Sequence, residues 1–199
     1  MSWWSRRHPA PALSAEDRLR ARVVHLGSDP TVWGDPEISA SDLAIGDRLK
    51  IWSGDRRTSI GGPGRMRLGD NVFLNCGVIL YSEASITLGD DVALSNDVYV
   101  MDTDSHGIEG RPPRAAAVSI GRGSWVGARS IVLPGVSIGE QVVVAAGSVV
   151  TRDAPDHVLV AGNPARVIRS LTYPEHCRRA WHDQWCYCPG SALGPPIPT

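Results

Sequence analysis

The chain has a single phenylalanine among its 199 residues, and only four cysteines: Cys76, Cys177, Cys186 and Cys188. So few cysteines exclude a disulfide framework in a chain of this size. A single phenylalanine is what a core stacked from small aliphatic side chains would show. Charge of either sign is not in excess, the formal net value being −1, so neither nucleic acid nor an anionic membrane surface is an expected partner. No apolar run is long enough to span a bilayer, and the opening Met1-Ser2-Trp3-Trp4-Ser5-Arg6 is not followed by the apolar core of a signal peptide. The expected location is the cytoplasm, and the expected organisation is one domain with appendages.

What the chain does have is a period of six. Ile120, Val126, Val132, Ile138, Val144 and Val150 recur every sixth residue, with small residues after most of them and Ser124, Ser130 and Ser148 four places after an aliphatic. If roughly a quarter of residues are Ile, Leu or Val, six in register is about a one-in-a-thousand event. Neither a helix nor an alternating strand has that period. A fixed short repeat means stacked units, and a hexad means a β-helix with three six-residue sides and about eighteen residues per coil. Leu68, Leu74 and Leu80 form an upstream set, and Leu88, Leu94 and Val100 another. Between them the phase jumps by two, which predicts a loosened corner near residues 81–85. Ile45 and Ile51 mark an earlier coil. Gly46-Asp47, Gly69-Asp70, Gly89-Asp90 and Gly139-Glu140 read as corner signals, glycine supplying positive φ and the acid bonding local amides.

The expected layout is an N-terminal segment over 1–30, a solenoid over 31–168 and a C-terminal helix and mobile tail over 169–199. Ser14-Ala15-Glu16-Asp17 reads as a helix start, with Leu19, Val23 and Val24 at helical spacing, predicting a helix over 14–25 across the solenoid's open end. Residues 1–13 read as irregular, and Trp181 and Trp185 sit four apart as on one helical face. The solenoid is interrupted once, from Asp102 to Ala117, where Pro112-Pro113 blocks strand pairing. Insertions of this kind project from one face and often carry the binding surface.

Several strings together resemble the hexapeptide-repeat acyltransferases, particularly galactoside and maltose O-acetyltransferases. They are Val118-Ser119-Ile120-Gly121, Trp125-Val126-Gly127, Ile131-Val132-Leu133-Pro134-Gly135-Val136, Ala145-Ala146-Gly147-Ser148-Val149-Val150-Thr151-Arg152-Asp153 and Ala161-Gly162-Asn163-Pro164-Ala165-Arg166-Val167-Ile168. The resemblance covers most of residues 40–170. It implies an all-β, left-handed parallel β-helix, a homotrimer with sites between subunits, and acetyl-CoA or another acyl-CoA as co-substrate, with no metal. It implies cofactor contacts at Trp125, Ala128, Ala146, Thr151, Arg152, Arg166 and Arg169, the arginines suiting phosphate oxygens. Arg152 stands where the family usually has lysine.

His106, on the one interruption, stands where the family places its catalytic base. A group of near-neutral pKa is what an alcohol or amine attacking a thioester requires. Asp102, Asp104 and Glu109 are alternatives for orienting its other ring nitrogen. The resemblance also implies acceptor binding by Asn75 and Glu83, with Arg111 and Arg114 on the loop as further candidates. Asn75 reads equally well as a corner residue, and Glu83 replaces a shorter acid. The implied reaction is direct transfer of an acetyl group to a hydroxyl of a sugar or other small metabolite, the oxyanion held by the Ala128 N–H. The alternatives are N-acylation, a longer acyl group, or a non-catalytic scaffold. A γ-type carbonic anhydrase would need three converging histidines, and His106 stands alone between Glu37 and Asp156. Cys76 reads as a structural thiol rather than a nucleophile, and the spacing of His176, Cys177, His182, Cys186 and Cys188 fits no common zinc site.

Overall fold

A six-residue aliphatic period leaves the chain one low-energy arrangement: each coil turns its aliphatics inward and hydrogen-bonds to the coils before and after it. The computed structural model describes residues 13–173 and has that form, a parallel β-solenoid of about seven turns. The expectations for residues 1–12, for Trp181 and Trp185, and for the cluster from His176 to Cys188 lie outside the described residues.

Three sides make up the triangle. The aromatic side stacks Thr31–Gly34, Lys50–Ser53, Phe73–Leu74, Ala93–Leu94, Trp125–Val126, Val143–Val144 and Val158–Gly162 in parallel register. The aliphatic side stacks the first part of Ser59–Leu68 with Ile79–Tyr81, Tyr99–Met101, Ile131–Val132 and Val149–Val150. The polar side stacks the second part of Ser59–Leu68 with Ser85–Leu88, Val118–Ile120 and Ser137–Ile138. A final antiparallel strand, Ala165–Ser170, closes the C-terminal end against Val158–Gly162.

All six members of the hexad from Ile120 to Val150 are buried, as are the two upstream sets. Each such side chain contributes about 1.5–3 kcal/mol by leaving water. The three serines are buried too, and bridge coils: the Ser124 hydroxyl donates to the Gly139 carbonyl at 2.8 Å and accepts from the Val142 N–H at 3.0 Å. Buried polar groups persist where they are paired in this way.

The corner glycines act differently from expectation. Gly46, Gly69, Gly89, Gly121 and Gly139 do not have positive φ; the left-handed residues fall two places later, at Arg48, Asn71, Asp91, Gly123 and Gln141. Glycine is required for space instead: a Cβ on Gly121 would lie 2.5 Å from the Gly139 carbonyl carbon. The acids likewise bond across coils. Asp47 accepts from the Ser28 N–H at 2.7 Å, Asp70 from the Asp47 N–H at 2.8 Å and Asp90 from the Asp70 N–H at 2.8 Å. The Ser28 amide holds the Asp47 carboxyl below the usual carboxylate range, because it bonds to the charged form.

The N-terminal helix is shorter than its pattern suggests, Ala15–Arg20, with a capping box between Ser14 and Asp17. It ends early because the following backbone pairs instead: the Val24 N–H donates to Leu43 at 2.8 Å, and His25–Leu26 joins Glu37–Ile45. Leu19 is buried in the core and Val24 is exposed, so the helix covers the end of the solenoid through Leu19 alone.

Candidate functional site

The outward faces of the three sides differ. The polar side carries Arg65, Arg67, Ser85, Thr87, Ser119 and Ser137, and Asp42 there bonds Arg67 at 2.7 Å. That guanidinium holds the Asp42 carboxyl below the usual range. The aliphatic side alternates inward Leu80, Val100, Val132 and Val150 with outward Ile79, Tyr99, Ile131 and Val149. A column of outward apolar groups is thus left in water on one flat face.

Two corners border that face, and the candidate residues divide between them. At the corner with the aromatic side, Ala128, Ala146 and Gly147 line an open groove of about 480 Å³ together with Arg56, Asn96, Asp97 and Arg129. Gly147 and the methyl groups of Ala128 and Ala146 leave it unfilled. The Ala128 N–H donates to no partner among the described residues. Trp125 stands beside this corner, its indole N–H donating to the Ser95 hydroxyl at 2.7 Å. Arg56 and Arg129 flank Asp97, at 2.5 Å and 3.8 Å, a cluster that the hexad pattern gave no reason to single out. Asn75 lies at the same corner in an earlier coil, level with Ser95 and Gly127 and one place before the column of Asn96, Ala128 and Ala146. Its side-chain oxygen accepts from the Cys76 N–H at 2.8 Å, so half of its amide serves the corner.

The opposite corner, with the polar side, carries the loop. Residues 102–117 leave the solenoid after Tyr99–Met101 and return at Val118–Ile120, as the two prolines predict. Its base is zipped: Thr103 bridges Ala115, the Asp104 N–H donates to Arg114 at 2.9 Å and the Ala116 N–H to Asp102 at 2.7 Å. Beyond the base, His106 is exposed on a three-residue turn, its N–H donating back to the Asp104 carbonyl at 2.7 Å across Ser105, which has φ +59°. Non-glycine residues held at positive φ cost free energy and gather at functional sites.

None of the three acids bonds the His106 ring. Asp104 and Glu109 are exposed, while Asp102 is fully buried and committed elsewhere. Asp102 Oδ2 accepts from the Ser82 hydroxyl at 2.7 Å and the Ala84 N–H at 2.9 Å, and Oδ1 from the Glu83 N–H at 2.7 Å. It therefore braces the corner where the phase jumps. Leu68 pairs with Leu88 and Leu80 with Val100, twenty positions on, whereas Ile120 pairs with Ile138, eighteen on. The two extra residues make the loosened corner at 82–84 that Asp102 fills. Glu83 is exposed there and lines a groove of about 490 Å³ with Asp42, Gly64 and Arg65.

Of the loop arginines, Arg111 is exposed and Arg114 reaches over the next coil at Gly135. Thr151 and Arg152 follow on the same corner, both exposed. Arg152 and Arg166 line one small cavity of about 120 Å³ beneath the closing strand, which Arg169 does not line. Cys76 is half-buried beside Gly54. No group of three metal-ligating side chains converges, and no helix is long and apolar enough to cross a membrane, among the described residues.

A hexad solenoid interrupted by one loop is an architecture shared with known chains. The family described as "Hexapeptide repeat of succinyl-transferase" matches residues 66–101 and 117–152. Galactoside O-acetyltransferase of Escherichia coli (strain K12) is 31% identical over 111 residues, 53% of this chain and 54% of that protein. The crystal structure of a maltose O-acetyltransferase from Clostridium difficile 630 superposes with a TM-score of 0.53 at 26% identity, over 79% of this chain and 75% of that one. A hexapeptide-repeat acetyltransferase from Vibrio cholerae O1 biovar eltor, solved with acetyl coenzyme A, gives a TM-score of 0.55 at 25% identity, over 82% and 81% of the two chains. The chain spans about half the length of the first curated relatives it matches. The chain is thus similar to hexapeptide-repeat acetyltransferases, and its parallel β-solenoid matches the left-handed β-helix of such acyltransferases.

Proposed function

We propose that this protein is a CoA-dependent acyltransferase that moves an acetyl group to a hydroxyl of a sugar or other small metabolite. One observation carries the reading: His106 and Arg152 occupy one corner of the aliphatic side, while Ala128, Ala146 and Trp125 occupy or flank the other. Some four to five extended residues separate the corners, roughly 15 Å by strand rise, so one chain does not close a site. Three copies with their aliphatic sides facing a common axis would bring the loop corner of each against the alanine corner of its neighbour. Cyclic symmetry repeats that contact three times and buries the outward Ile79, Tyr99, Ile131 and Val149.

The residues present fit a CoA thioester, which would supply the activated acyl group. The groove over Ala128, Ala146 and Gly147 has room for a thin chain, and Arg152 and Arg166 offer planar donors to phosphate oxygens. His106 would take the proton from the acceptor hydroxyl as its oxygen bonds the thioester carbonyl carbon and return it to the CoA sulfur as the C–S bond breaks, so that the acetyl group would pass directly to the acceptor and CoA would leave as the thiol. The unpaired Ala128 N–H would donate to the oxyanion. Asn75, Glu83, Arg111 and Arg114 would hold the acceptor.

Calorimetric titration with acetyl-CoA and with free CoA tests this. Binding in the micromolar range is expected, weakened about tenfold in Arg152→Ala, which corresponds to about 1.4 kcal/mol. Folded protein that binds neither ligand would sink the acyl-CoA reading.

A further inference from the structure

The loop that displays His106 is fastened to the corner by more than its zipped base. Thr103 is fully buried, and its hydroxyl sits between two groups of opposite demand. Thr103 Oγ1 donates to Glu83 Oε2 at 3.0 Å and accepts from the Ser105 N–H at 3.0 Å. The directions are fixed by chemistry: an amide N–H only donates, so the hydroxyl's one proton is left for the carboxylate. Ser105 is the residue at φ +59° across which His106 turns back to Asp104. The Glu83 backbone N–H is held by Asp102 at 2.7 Å, and Oε1 bonds nothing among the described residues.

We propose that Thr103 is a positioning residue that ties the carboxylate of Glu83 to the turn presenting His106, making acceptor recognition and base placement one hydrogen-bonded unit. This rests on the reading of His106 and Glu83 given above. Thr103 holds one oxygen of Glu83 and leaves the other without a partner among the described residues, on a side chain that lines the groove with Gly64 and Arg65, where a hydroxyl of the acceptor would donate to it. The same hydroxyl satisfies the amide of the strained residue, so the turn does not relax. An acceptor that pulls Glu83 out of place therefore loosens the base, and one that fits holds both.

Thr103→Val keeps the shape and removes the hydroxyl, whereas Thr103→Ser keeps the hydroxyl and loses one methyl. In the full chain, with a galactoside or maltose as the acceptor probe, Thr103→Val is expected to speed amide exchange at Ser105 and His106 about tenfold and to raise the KM for that probe by about as much, the loss of one to two net hydrogen bonds. The KM for acetyl-CoA should stay unchanged, and Thr103→Ser should restore both values. Unchanged exchange in Thr103→Val overturns the tie to the turn. Faster exchange with an unchanged acceptor KM overturns its link to Glu83, as does Thr103→Ser failing to the same extent as Thr103→Val. Wild-type protein that exchanges as expected yet neither binds acetyl-CoA nor transfers acetyl refutes the functional reading while leaving the Thr103–Ser105 tie standing.

Discussion

Replacing His106 with alanine is expected to lower acetyl transfer about 10²- to 10⁴-fold, the range that a positioned general base contributes. The side chain is exposed and bonds nothing among the described residues, so its removal leaves the solenoid intact. Thermal stability and acetyl-CoA affinity should therefore match wild type. A loss confined to turnover distinguishes a base from a binding residue, because uniform binding interactions appear in KM rather than kcat. Full activity of the variant would remove His106 from the mechanism.

The second large effect is on stability, and comes from Asp102. Its carboxylate accepts three hydrogen bonds at the 82–84 corner with none of its surface in water. Asp102→Ala leaves the Glu83 and Ala84 amides without that partner in a corner too tight to repack, at about 1–3 kcal/mol for each group left buried and unsatisfied. The expected total of about 3–4 kcal/mol corresponds to a fall in Tm of about 10 °C for a domain of this size. Asp102→Asn retains one acceptor but turns an NH₂ toward amide donors, so it should recover only part of the loss. A Tm unchanged in Asp102→Ala would show that the corner is held by the stacked coils alone.

The contrast between these two residues shows what the sequence could disclose. A hexad constrains one inward side chain per side, and that constraint is periodic, so the core from Leu68 to Val150 was legible before any coordinates. The loop boundaries were legible because prolines and the loss of aliphatics mark where pairing stops. The role of Asp102 was not legible, since it depends on a cross-coil contact to 82–84, twenty residues back. Proximity to His106 in sequence suggested an orienting acid, whereas the buried corner claims both of its oxygens. The phase jump between Leu80 and Leu88 was the available signal: two extra residues at a corner expose backbone amides that something must satisfy. The corner glycines illustrate the same limit. Period and residue type located them, but whether glycine supplies a dihedral or clearance depends on the distance to the next coil. The division of candidate cofactor residues between two corners also became visible only in three dimensions, because sequence order interleaves them.

The most direct test of a site assembled between copies is complementation. His106→Ala disables the loop corner, and Ala146→Trp fills the groove of the alanine corner; each protein alone should be inactive. After co-refolding or subunit exchange at equal amounts, about a quarter of the sites would pair an intact loop corner with an intact groove if copies mix at random around a ring. Recovery of transfer to about that fraction of wild type is the predicted result. Mixed oligomers that stay as inactive as their parents would place both residues in one chain's site, or in no common site, and would contradict the account.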